Sequence, residues 1–262
     1  MSNISGTGVA LITPFNNDFS IDYNSLQKLI EHVISGGVDF LVLLGTTGEA
    51  TSISNVEKKE IIDFVVKINS KRVPLVIGIG GNNTLNVKNE ILNTDLSNFS
   101  AILSVTPYYN KPSQDGLYNH YKEISEISPI PIILYNVPSR TGVNMSSNTT
   151  LRLAHDFNNI IAVKEASGDL KQITKIIEDK PINFNVLSGD DALTLEMIYL
   201  GATGVISVIG QSNPMDFSKM VNFGLVNNKS EANKIHDNLF KYYPFLYSEG
   251  NPSGIKALLF LL

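Results

Sequence analysis

The chain of 262 residues contains no cysteine. That excludes a disulfide framework and any thiolate metal site, and it fits a reducing compartment, so a cytoplasmic location is expected. Positive charge is not in excess: 20 lysines and arginines face 25 aspartates and glutamates, for a formal net charge of -5. Nothing resembles a basic stripe, which argues against nucleic acid as the main partner. Histidine is scarce. The four present, His32, His120, His155 and His236, fall in helix-like segments without metal-ligand spacing, so packing or surface roles are expected and no metal. No apolar run approaches the roughly 18 to 20 residues that a membrane-spanning helix needs, and the terminal run 257–262 is far too short, so no membrane partner is expected. The opening residues Met1-Ser2-Asn3-Ile4-Ser5 lack a basic segment followed by a long apolar one, so no signal peptide is expected.

What is present is alternation. Eight short runs rich in Val, Ile and Leu cover residues 9–12, 40–44, 75–77, 101–105, 130–134, 160–163, 185–187 and 204–208. They lack polar residues at every second position, as parallel strands covered on both faces do. Between them lie segments with apolar residues three and four apart, such as Leu26, Leu29, Ile30 and Val33, ending at Gly36-Gly37. Start signals precede them: Asp22, the capping box of Ser54 and Glu57, and Pro214. Eight βα units in a chain of this length predict an α/β fold of the closed (β/α)₈ TIM-barrel type, with an open doubly wound sheet as the alternative. Residues 1–227 hold the units. Residues 228–262 predict a short C-terminal helical extension, with one helix over 230–248 and the start of another after Pro252.

Lys164 ends the apolar run Ile160-Ile161-Ala162-Val163. An ammonium removed from water without a partner loses hydration worth about several kcal/mol. Two readings follow. The side chain snorkels to the surface, or it is held dry and uncharged as a nucleophile for a carbonyl.

The other strand ends favour the second reading, because barrel chemistry gathers at the carboxyl ends of strands. Gly45-Thr46-Thr47-Gly48-Glu49 follows the second run and offers backbone N–H groups suited to a small carboxylate, unless it is a plain turn. Tyr108-Tyr109-Asn110-Lys111 follows the fourth, Tyr135-Asn136-Val137-Pro138-Ser139-Arg140-Thr141-Gly142 spans the end of the fifth, and Ser188-Gly189-Asp190-Asp191 ends the seventh. Competing motifs are weaker. Gly78-Ile79-Gly80-Gly81 lacks the last glycine of a dinucleotide loop. Asp190-Asp191 reads as dipole partners and caps for the helix that follows.

The strings at 45–49, 135–142 and 163–166 resemble the pyruvate-dependent class I aldolase family of (β/α)₈ barrels, with element order intact from Gly6 to about Gly254. The resemblance is strongest to the branch that condenses pyruvate with L-aspartate 4-semialdehyde to make a precursor of diaminopimelate and lysine. It implies that Lys164 forms a Schiff base with pyruvate, with no other cofactor. It implies a proton relay of Tyr135, Thr46 and Tyr109, the last entering from a neighbouring subunit of a homodimer or homotetramer. It implies that Thr47 holds the pyruvate carboxylate, that backbone carbonyls of Gly189 and Ile206 line the pocket, and that Arg140 grips the carboxylate of the semialdehyde.

Related barrels that cleave N-acetylneuraminate or 2-keto-3-deoxygluconate keep the lysine and tyrosine but generally lack that arginine. An aldolase of another such 2-keto acid is the alternative within the same chemistry. A catalytically silent ligand-binding barrel is the alternative outside it. Two departures from the resemblance stand out. Lysine-inhibited members use a histidine and a glutamate where this chain has Lys58 and Asn86, which predicts weak or absent feedback, while Tyr108 and Asn82 match. Members also carry more helix than the shortened extension here.

Overall fold

The computed structural model describes residues 4–262. Its strands are β1 (Gly6–Ala10), β2 (Phe40–Leu43), β3 (Leu75–Gly78), β4 (Ala101–Val105), β5 (Ile132–Asn136), β6 (Ile160–Glu165), β7 (Asn185–Ser188) and β8 (Gly204–Ser207). They pair in parallel in chain order, and β8 returns to β1, closing a barrel. The closed form predicted from the repeat is the observed one, and the open-sheet alternative falls.

The barrel helices are α1 (Tyr23–Ser35), α2 (Asn55–Asn69), α3 (Thr84–Asn93), α4 (Gln114–Ser125), the single turn α5 (Pro138–Thr141), α6 (Ser147–Asp156), α7 (Leu170–Asp179), α8 (Thr194–Leu200) and α9 (Pro214–Leu225). Their starts follow the expected chemistry. Asp22 accepts a hydrogen bond from the Ser25 backbone N–H, and the Ser54–Glu57 capping box is complete on both sides.

Strand alternation divides the apolar residues into two cores. Val9, Leu41, Ile77, Ile102, Leu134, Val163 and Val186 face outward and bury the helices. Phe40, Val42, Val76, Leu103, Ile133, Ala162, Leu187 and Ile206 face inward and fill the barrel, so its axis is packed and not a channel. At the carboxyl end of that interior the apolar filling gives way to Tyr135 and Lys164.

Two boundaries differ from the sequence reading. The first strand begins at Gly6 and not at Val9, because Gly8 faces inward against the Phe40 ring and a glycine-rich start does not stop it pairing with β2. The helix expected over 230–248 is two: α10 (Lys229–Phe240) and α11 (Tyr243–Tyr247), followed by α12 (Ser253–Leu261). Pro244 has no N–H to give the carbonyl of Phe240, so α10 stops and the chain restarts with Pro244 in the first turn of α11.

Candidate functional site

Lys164 and Tyr135 are opposite each other in the register of β5 and β6. The register shifts between Ile132 and Ile133: Ile132 pairs with Ile160, and Ile133 with Ala162. The extra residue on β6 decides which way the lysine points. Without it Lys164 would oppose Asn136 and face the helices; with it, Lys164 opposes Tyr135 and faces the barrel axis. Both side chains are buried, each 7% exposed. The Lys164 Nζ lies 4.3 Å from the centroid of the Tyr135 ring. The ion pairs among the described residues do not include Lys164, so no carboxylate holds the amine. Surface snorkelling is ruled out by this burial.

Gly189, just beyond β7, makes room for that amine. A Cβ there would sit 2.7 Å from the Ala166 Cβ and 3.1 Å from the Lys164 Cε. Ile206 is fully buried in β8 and belongs to the same inward cluster as Tyr135 and Leu187.

The loop after β2 is folded tightly. Gly48 N–H donates to the Gly45 carbonyl at 3.1 Å and Glu49 N–H to the Thr46 carbonyl at 3.0 Å. Within it Thr46 is exposed to the mouth while Thr47 is buried, 3% exposed. Two glycines of the string Gly78-Ile79-Gly80-Gly81 serve close packing: a Cβ on Gly78 would lie 2.3 Å from the Leu44 carbonyl oxygen, and one on Gly80 would lie 2.8 Å from the Val105 N. Close backbone approach, not phosphate binding, accounts for them.

A cavity of about 480 Å³ opens above this rim, lined among others by Thr46, Tyr108, Tyr135, Arg140, Lys58 and Glu90. Arg140 sits on α5, with an exposed guanidinium whose Nη2 donates to the backbone carbonyl of Asn251 at 3.0 Å. Tyr109 stands away from the cavity in this chain. It is 83% exposed, at a left-handed φ of 75°. Among the described residues no direct hydrogen bond joins the hydroxyls of Tyr135, Thr46 and Tyr109, so within one chain the expected relay is open. The arrangement supplies a dry primary amine, a phenol beside it that can give or take a proton, and a cation at the entrance.

Three supporting residues were not legible beforehand. Glu165, next to Lys164 but facing outward, is fully buried. Burial pushes its carboxyl upward, partly offset by hydrogen bonds from Asn136, Ser167 and Gln172. Asp191 is no helix cap. It is buried, its carboxylate accepts from the Ile209 N–H at 2.8 Å and the Tyr247 hydroxyl at 2.9 Å, and desolvation raises its affinity for a proton. Asn251, in the segment between α11 and α12, gives its side-chain N–H to the Thr47 hydroxyl at 2.9 Å. Glu165 had one available signal, a carboxylate in the residue after a strand-end lysine. Asp191 and Asn251 had none, because their partners lie far along the chain.

A model of the dihydrodipicolinate synthetase family matches residues 3–262. The 4-hydroxy-tetrahydrodipicolinate synthase of Flavobacterium psychrophilum is 52% identical over 258 residues, covering 98% of this chain and 88% of that protein. Among solved structures, the chloride-inhibited dihydrodipicolinate synthase of Acinetobacter baumannii complexed with pyruvate superposes with a TM-score of 0.93 at 37% identity, over 97% of this chain and 87% of that one. A structure described as the first monomeric dihydrodipicolinate synthase variant gives a TM-score of 0.95 at 35% identity, over 98% of this chain and 86% of that one. Among the described residues no helix is long and apolar enough to cross a membrane.

Proposed function

Because the chain belongs to the dihydrodipicolinate synthetase family, we propose that it condenses pyruvate with L-aspartate 4-semialdehyde through a Schiff base on Lys164, giving 4-hydroxy-tetrahydrodipicolinate. The observation that carries the reading is the amine of Lys164, buried inside the barrel mouth, unpaired with any carboxylate, and packed on the Tyr135 ring.

The chemistry follows from that placement. The amine adds to the pyruvate ketone, and loss of water leaves an iminium. Its positive charge draws electrons from the methyl carbon, so a methyl proton leaves and an enamine forms. The enamine carbon attacks the aldehyde of the second substrate. The amine of that substrate then adds to the iminium carbon and displaces Lys164, closing the ring. Tyr135 is the nearest acid–base group for these transfers, and Thr46 lies on the same cavity wall. Thr47 holds the pyruvate carboxylate, the backbone at Gly189 and Ile206 lines the floor, and Arg140 receives the carboxylate of the semialdehyde. A charge-assisted contact of that kind is worth roughly 1.5–3 kcal/mol.

Tyr109 has no work in the isolated chain, and its exposure suits insertion into a neighbouring copy. We therefore place the active form as a homodimer or a dimer of dimers in the cytoplasm, with no cofactor beyond the covalent imine. Incubation with pyruvate and borohydride tests the reading. We expect a mass increase located on Lys164, lost in Lys164→Ala together with condensation of the two substrates. Trapping without condensation, coupled to cleavage of N-acetylneuraminate or 2-keto-3-deoxygluconate, would assign the chain to the other aldolases. No trapping at all would leave a silent barrel.

A further inference from the structure

Asn251 lies outside every strand and outside the eight βα units, yet it touches two residues assigned to different substrates. Its side-chain Nδ2 donates to the Thr47 Oγ1 at 2.9 Å. Its backbone carbonyl accepts from the Arg140 Nη2 at 3.0 Å. Its other side-chain polar atom, Oδ1, is buried without a hydrogen-bond partner.

The segment that carries it is anchored on both sides. Four residues earlier, the Tyr247 hydroxyl donates to the buried carboxylate of Asp191 at 2.9 Å. Five residues later, the Lys256 ammonium pairs with Glu49 of the loop that also carries Thr47, and it lies 4.3 Å from the Phe15 ring centroid. The helices on either side pack closely, since a Cβ on Gly254 would meet the Leu246 carbonyl oxygen. Asn251 is thus held across the mouth from both ends.

The donor direction matters. A hydroxyl has one hydrogen to give and two lone pairs to fill. The Asn251 amide fills a lone pair of Thr47, so the hydroxyl hydrogen remains free for an acceptor in the site. We propose that Asn251 is a positioning residue: by donating to the Thr47 oxygen it commits the Thr47 hydroxyl to donate to the pyruvate carboxylate, and so makes the C-terminal extension part of the pyruvate site. The inference rests on the Schiff-base reading above.

The side-chain and backbone contacts can be separated by substitution. Asn251→Ala removes the donor to Thr47 and keeps the backbone carbonyl that receives Arg140. Asn251→Asp keeps the shape but turns the donor into an acceptor, so Thr47 gives its hydrogen to the new carboxylate and turns away from pyruvate. Steady-state kinetics with both substrates varied, and borohydride trapping titrated with pyruvate, read the outcome.

We expect Asn251→Ala to raise the pyruvate KM and the half-saturating pyruvate for trapping by roughly five- to tenfold, with the semialdehyde KM within about twofold of wild type. Asn251→Asp, although closer in shape, falls further. In a Thr47→Val background the Ala substitution adds less than about twofold, because the pair acts as one unit. Unchanged pyruvate KM in Asn251→Ala, an equal rise in both KM values, multiplicative losses with Thr47→Val, or wild-type pyruvate binding by Asn251→Asp would each overturn the inference. If wild type itself is not trapped by borohydride, it is the Schiff-base reading that has failed.

Discussion

Two residue pairs stand one step apart on β5 and β6 and face opposite ways. Tyr135 and Lys164 point into the barrel; Asn136 and Glu165 point out toward the helices. The outward pair is saturated. Asn136 donates to both carboxylate oxygens of Glu165 at 3.0 and 3.1 Å, and the Ser167 N–H and Gln172 amide add their own bonds. The side chains of the inward pair have no ion partner and no hydrogen bond among the described residues, only the amine against the ring face. Groups that hold the fold have spent their bonding capacity on each other. The inward groups, proposed to meet the substrate, have kept theirs open.

The sharpest way to break this contrast is to cut each pair in turn. Tyr135→Phe is expected to lower kcat by about 10²–10⁴-fold, the usual range for a lost acid–base group, with the melting temperature little changed. Glu165→Ala should do the reverse first. It strands the Asn136 amide and the Ser167 N–H in a dry interior, at a cost of about 2–4 kcal/mol of stability, whereas Glu165→Gln keeps the two bonds accepted by Oε1, from Asn136 and Ser167, and loses less. Urea denaturation alongside steady-state rates separates the two. If Tyr135→Phe unfolds the barrel, or Glu165→Ala leaves its stability intact, the division of labour is wrong.

How far the sequence alone could see is uneven in the same way. The eight apolar runs, the closed barrel and a lysine at the rim were readable, since they depend on runs of apolar residues and on the rule that barrel chemistry sits at strand ends. The residue inserted on β6 was not. One apolar residue more or less in Ile160-Ile161-Ala162-Val163 leaves no trace in composition, although it decides the direction of Lys164. Asn251 and Thr47 are 204 residues apart, and Asp191 and Tyr247 are 56 apart, so neither bond has a local signature. Phe260, Leu261 and Leu262 stand largely exposed beyond the packed Ile255.

Lys164 contrasts with another deeply buried base, His120 of α4. His120 is 3% exposed, bonded through Nδ1 to the Thr84 hydroxyl at 2.9 Å, and its Nε2 has no partner. Burial lowers its pKa from 6.5 to about 4. Between those values the unfolded chain binds the proton and the folded one does not, so stability is full above pH 6.5 and is lost as the pH falls toward 4. The loss contributed by this one group reaches about 3 kcal/mol. Urea midpoints between pH 7 and about 4 in wild type and His120→Gln measure it, and the slope should flatten in the variant. An equal slope in both would show that burial does not hold the proton off this imidazole in the folded chain.

The smallest expected effect is none at all. The cavity extends past Thr46 to Lys58 on α2 and Glu90 on α3, whose charged groups are 3.8 Å apart with no hydrogen bond between them. Lys58 thus carries a charge that its surroundings only partly satisfy. Asn86, exposed on α3, brings no negative charge to offset it. An incoming lysine ammonium within about 4 Å of Lys58 would meet repulsion of roughly 4 kcal/mol at an effective dielectric near 20. Free lysine at sub-millimolar concentration should therefore leave the condensation rate unchanged. Replacing Lys58 by His and Asn86 by Glu removes the repulsion and supplies the missing charge, so the double variant should become sensitive while pyruvate trapping on Lys164 stays the same. Inhibition of wild type by sub-millimolar lysine would show that the Lys58 charge is already neutralised by Glu90, and that the far side of the cavity is as saturated as the outward face of β6.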